Sequence, residues 1–178
     1  PAIQRAEAHS YLGILAGTMD GGPRGVRHSE AAFAALRSQR RPTGKFEASI
    51  FASLGHGYSV QGRMLDADTH MEMAYRRLEE LGLEATAHGV TLLSNWATVN
   101  LRAGDVRRAE QLAERALALA GPGERSAFLL MNRARALELR GRFAEAEAGF
   151  REAEQVAKDA KALPAVVFAK AGQASVLI

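Results

Sequence analysis

Apolar positions recur three and four residues apart through most of the chain, the spacing that places them on one face of an α-helix. The pattern runs over 6–17, 46–60, 66–81, 89–103, 106–120, 126–140, 142–161 and 165–178. A further helix is expected over 28–39, after an enlarged turn at 19–27. The interruptions carry Gly or Pro: DGGPRG at 20–25, RRPTG at 41–45, LGL at 81–83, AGPGE at 120–124 and Leu163-Pro164. Such residues end helices and open turns. No stretch alternates apolar and polar residues as a half-buried strand would. The pattern predicts an all-α chain of eight or nine helices.

The helices repeat. Small residues at Gly13, Gly55, Ala97 and Ala134 fall 42, 42 and 37 positions apart. Seven residues after each of the last three comes a glycine: Gly62, Gly104, Gly141. Two alanines follow in the same register: Ala67 and Ala74, Ala109 and Ala116, Ala146 and Ala153. The physical reading is a stack of helix hairpins. The first small residue lets helix A of a unit approach helix B. The glycine ends helix A in the left-handed conformation, where it costs least. The alanines keep helix B close to its neighbours, so Ala74→Leu is expected to destabilise by about 1–3 kcal/mol through overpacking.

Three stretches then resemble a known family. LGHGYSVQGRMLDADTHMEMAYRRL looks like a tetratricopeptide repeat (TPR) through Leu54, Gly55, Tyr58, Gly62, Ala67 and Ala74. WATVNLRAGDVRRAEQLAERALAL matches through Ala97, Gly104, Ala109 and Ala116, and RARALELRGRFAEAEAGFREAEQV through Ala134, Gly141, Ala146, Phe150 and Ala153. The resemblance covers roughly 6–178. The spacing exceeds the usual 34-residue repeat. It is similar to the units of kinesin light chains, cell-polarity adaptors, bacterial transcription regulators and quorum-peptide sensors. It implies one domain over 1–178, with units at about 4–41, 46–82, 88–121 and 125–161 and a terminal helix at 164–178. It also implies a right-handed superhelical α-solenoid. The first unit keeps Tyr11, Leu12 and Gly13 and then departs from the pattern. Arg133 stands where an apolar residue is expected.

Composition narrows the function classes. Hydrophobic residues make up 47% of the 178, enough for a continuous core, and aromatics only 6%. There is no cysteine, which excludes disulfides and thiolate metal sites. No apolar run approaches the eighteen or so residues that span a bilayer, and no signal peptide is visible. The expected setting is cytoplasmic, without a membrane partner. The chain opens at Pro1 rather than Met, as a processed or excised piece would. The net charge is +3, with arginines scattered among glutamates. That is too mild for a strong phosphate footprint, so no nucleic-acid partner is expected.

The glycine-rich stretch SLGHGYSVQGR at 53–63 fails each catalytic template. Val60 stands where a dinucleotide loop needs its third glycine, and Arg63-Met64 where a phosphate loop needs Lys and Ser or Thr. No serine sits as a nucleophile elbow requires. The stretch reads as the second half of a helix A and its turn. Gly57 is left over, and close approach of another backbone is the expected reason. The five histidines never pair at metal-ligand spacing. No enzyme, cofactor or metal is expected. Trp96 and at least one of Met71 and Met73 are expected in the core, and the acidic residues of 144–155 on a solvated face.

The candidate site comes from the resemblance. In the family, an Asn at the sixth position of helix A clamps the backbone of a bound peptide, and this chain has Asn95 and Asn132 there. An amide suits a peptide group because it donates and accepts at once. On helical spacing Thr98 and Arg102 follow Asn95, Arg135 follows Asn132, and His56 is the equivalent of Thr98. Two arginines over a groove suit a carboxylate or phosphate. The plainer reading is that the Asn side chains join neighbouring A helices or are merely solvated. The expected function is a non-catalytic protein-interaction scaffold, binding a peptide or partner segment in a concave groove, within a larger bacterial regulatory protein. The alternatives are a ligand- or signal-peptide-sensing domain and self-association through the last helix, AVVFAKAGQASVLI.

Overall fold

The computed structural model describes residues 23–37, 44–121, 123 and 125–176. The helix expected at 6–17, with Tyr11, Leu12 and Gly13, lies outside them. The described residues form eight helices and no strand. They are α1 (Pro23–Arg37), α2 (Lys45–Val60), α3 (Met64–Glu80), α4 (Ala87–Ala103), α5 (Val106–Leu119), α6 (Ala127–Leu139), α7 (Phe143–Asp159) and α8 (Leu163–Val176). The chain separates into two compact units, Pro1–Glu84 and Ala85–Ile178.

Two expected boundaries are corrected. The helix placed at 28–39 begins at Pro23, so Pro23, Arg24 and Gly25 belong to α1 and not to an enlarged turn. Proline opens a helix readily, because its missing N–H would have no intrahelical acceptor there and its φ is already helical. The same holds at Leu163-Pro164, which lies inside the first turn of α8 and does not precede it.

In the first unit α2 and α3 form a hairpin, and α1 packs on α2. Gly55 sits in the hairpin contact: a Cβ there would lie 2.9 Å from Met71 Cγ. Gly57 is explained by α1, because a Cβ on it would stand 2.6 Å from Val26 Cγ2. The neighbour is chiefly a side chain, not the backbone that the sequence suggested. Phe33 and Phe51 meet at 5.1 Å between ring centroids, and the Tyr58 hydroxyl donates to Glu30 at 3.0 Å. Burial and that carboxylate push the Tyr58 phenol above its usual value.

In the second unit α4–α5 and α6–α7 are successive hairpins, and α8 packs on α7. The A helices lie side by side, α4 touching α6 and α6 touching α8. The repeat signature is an assembly of contacts. Ala67, Ala74, Ala109, Ala116, Ala146 and Ala153 are all fully buried. Gly62, Gly104 and Gly141 have φ of 78°, 84° and 75°, as the turn after helix A requires. At Gly104 the orphan carbonyls are taken up in register: Gly104 N–H donates to Leu101 O and Asp105 N–H to Asn100 O. Each of α4, α5 and α6 opens on a capping side chain, from Thr86, Asp105 and Ser126. Glu110, almost fully buried on α5, accepts from Arg140 and Arg142 in the α6–α7 turn and fixes that turn against α5. Trp96 is buried, with the Arg108 guanidinium 5.0 Å above its ring. Of the two methionines, Met71 is core and Met73 is exposed.

Candidate functional site

An open groove of about 320 Å³ runs along the A helices of the second unit. Leu101 of α4 and Met131, Asn132 and Arg135 of α6 line it. Phe168, Ala171, Gly172 and Ser175 of α8 form the other wall, and Phe150 reaches it from α7. The surface is mostly apolar, with one amide and one guanidinium among the side chains.

The amide is already engaged. Asn132 Nδ2 donates to Ser94 O at 2.9 Å and to Thr98 Oγ1 at 2.9 Å, with Ser94 Oγ at 3.2 Å. The Thr98 hydroxyl in turn donates to Ser94 O at 3.2 Å. Asn132 therefore ties α6 to α4. Among the described residues nothing donates to its Oδ1, so toward a ligand it offers an acceptor and no donor. Arg135 is held by Glu138 at 2.7 Å. Its side chain is 49% exposed and that of Glu138 only 11%, so the cation faces solvent and the acid is covered.

The other candidates sit as follows. Asn95 and Arg102 are exposed on α4 but do not line the groove. Thr98 is exposed beside them and enters the site through Asn132. His56 is exposed on α2, in the first unit, so it does not join the others in one compact unit.

Sequence reasoning missed Ser94, whose carbonyl orients Asn132. Its signal was a polar residue where helix A is otherwise apolar. It also missed the α8 wall, because Phe168 lies in a uniformly apolar run whose inner and outer faces periodicity does not separate. Glu154 is a correction to the solvated acidic face. Its side chain is 13% exposed, and it accepts from Lys158 at 2.7 Å and from Gln173 of α8 at 2.8 Å. The Lys158 hydrogen bond first, then that of Gln173, holds its carboxyl below the usual range.

No family model matches the chain, and no curated protein sequence matches it. Solved structures do. A kinesin light chain-like protein of Podosopora anserina with nearly identical TPR-like repeats matches at a TM-score of 0.75, with 16% identity over 97% of this chain and 85% of that one. A variant of it matches at a TM-score of 0.77, also at 16% identity, over 99% of this chain and 86% of that one. This chain has the TPR-like repeat fold. Its hairpins with A-side small residues, left-handed glycines and buried B-side alanines are TPR-like units of the all-α solenoid class. Among the described residues no helix is long and apolar enough to cross a membrane, and no group of three His, Asp or Glu residues could hold a metal ion.

Proposed function

We propose that this chain is a non-catalytic protein-interaction scaffold that receives a peptide or partner segment in the groove of the second unit. The groove itself carries the reading. It is open along the A helices, largely apolar, and bordered by a solvent-facing guanidinium at Arg135. An apolar wall with a few convergent polar groups is the usual make-up of a recognition groove. Asn132 would accept from a backbone or side-chain N–H of the segment, Arg135 would bind a carbonyl or carboxylate, and Asn95, Thr98 and Arg102 would extend the polar border along α4. His56 would belong to a separate contact. The proposal keeps one continuous repeat array over 1–178. The bacterial and regulatory setting is supported by composition and the sequence resemblance, and the cytoplasmic setting by composition.

The test is titration of peptides chosen from a random library, against wild type and an Asn95→Ala, Arg135→Ala, Phe168→Ala triple variant. Loss of about tenfold in affinity in the variant is expected, because few interface side chains cost more than about 1 kcal/mol when truncated, and about 1.4 kcal/mol lost over the three together is a factor of ten. Equal affinity removes the groove from consideration.

A second reading is favoured by one observation. Leu163, Val167 and Phe168 of α8 are 75%, 65% and 60% exposed. Self-association would cover them, and sedimentation of wild type against Val167→Asp separates the two: only self-association predicts a mass that falls in the variant.

A further inference from the structure

The helices of the second unit are held very unequally. Nine residues of α4 and seven of α6 are buried, but only two of α8, Ala165 and Ala169. Both are alanines, whose burial removes little apolar surface from water. Gly172 adds one close contact, with the Phe150 ring where its own side chain would be. The opposite side of α8 remains exposed at Leu163 and Val167. Val166 and Val176 pack against the same core but are only partly buried, so apolar burial holds α8 less firmly than α4 or α6.

Polar contacts supply the rest, and they converge on one carboxylate. Gln173 Nε2 donates to Glu154 Oε2 at 2.8 Å and lies 3.4 Å from Phe150 O. Lys170 Nζ stands 3.8 Å from Glu154 Oε1, which also accepts from Lys158 of the same helix at 2.7 Å. Gln173 and Lys170 sit three residues apart, so both fall on the side of α8 that meets α7.

We propose that α8 is a latched wall of the groove: Glu154 holds it through Gln173 and Lys170, and loss of that hold swings α8 away from Phe150. The consequence for the site is direct. Phe168, Ala171, Gly172 and Ser175 form one whole side of the groove, and Phe150 is 3% exposed only while α8 covers it. Release widens the groove and bares Phe150, Ala153 and Ala157. The latch stands whether or not a peptide occupies the groove.

Hydrogen exchange on the full chain tests it, with Glu154→Ala, Gln173→Ala and Lys170→Ala compared with Arg151→Ala. The last breaks only the exposed Arg151–Glu147 pair on α7. Lys170 is itself 63% exposed, so its variant folds even if Glu154→Ala does not. Amides of 163–176 are expected to exchange about tenfold faster in the Glu154 and Gln173 variants, and less so in the Lys170 variant, with 127–139 unchanged. Binding of an apolar dye is expected to rise in parallel. Four results overturn the latch: 163–176 unprotected in wild type, wild-type rates in all three variants, equal acceleration of 127–139, or equal acceleration in Arg151→Ala. Faster exchange without added dye binding overturns the opening, because α8 then frays in place.

Discussion

Asn132 reaches from α6 to α4 and donates its side-chain amide to the backbone oxygen of Ser94 at 2.9 Å. With the bond to Thr98 Oγ1 it ties two adjacent A helices together beneath the groove. Asn132→Ala leaves Ser94 O without its cross-helix donor and is expected to destabilise by about 0.5–1.5 kcal/mol, read from urea unfolding. A double-mutant cycle with Thr98→Ala should give non-additive losses, since the two side chains share the bond at 2.9 Å. Additive losses would mean that the link carries no energy.

Gly172 lies against Phe150 so closely that a Cβ would stand 2.3 Å from the ring. Gly172→Ala improves helix propensity by up to about 1 kcal/mol. The clash costs about 1–3 kcal/mol and wins, because a packed aromatic ring yields poorly. Thermal melting should show a net loss, with faster exchange confined to α8.

Lys161, in the turn between α7 and α8, has φ of 53° where the turns after α2, α4 and α6 have glycine. Its N–H and that of Ala162 still make the turn's bonds, to Lys158 O and Ala157 O. Lys161→Gly keeps those bonds and relieves the left-handed strain, so a gain of about 1 kcal/mol in unfolding free energy is expected. A loss would mean that the lysine side chain contributes more than its backbone costs.

Acid should loosen the second unit in a defined window. Arg142 holds the Glu145 carboxyl below its usual value, chiefly by its hydrogen bond, and Lys158 then Gln173 do the same for Glu154. A carboxyl depressed on folding adds stability that is complete above its unfolded pKa, about 4.3, and fades as pH falls through the lower folded value. Melting temperature should hold from neutral pH down to about 5 and fall below about 4. In Glu154→Gln the fall should be shallower. A melting temperature that stays flat below pH 4 contradicts the assignment.

Much of this architecture could be read from residues alone. Gly62, Gly104 and Gly141 with their trailing alanines announced the hairpins, because a left-handed turn and a close helix crossing each admit few side chains. The start of α1 was missed because Pro23 signals a break and a helix start equally well. Gly57 was recognised as anomalous, but its partner Val26 is distant in sequence and only the packing of α1 on α2 brings them together. At the candidate site, Asn132 was named from the family resemblance and Arg135 from its helical spacing to Asn132, and both line the groove. The α8 wall and the Glu154 latch were not, since both depend on which side of a nearly uniform apolar helix faces inward. The Ser94 contact that turns Asn132 from donor to acceptor is likewise a property of two helices, not of one.

The proposed function places a partner segment in the groove along α4, α6 and α8. The most direct measurement is the affinity of a library-selected peptide for wild type, for the Asn95→Ala, Arg135→Ala, Phe168→Ala variant, and for Arg151→Ala on the side chain that pairs with Glu147. About a tenfold loss is expected in the triple variant and none in Arg151→Ala. Equal binding by all three proteins, or no peptide selected by the wild type, would contradict it.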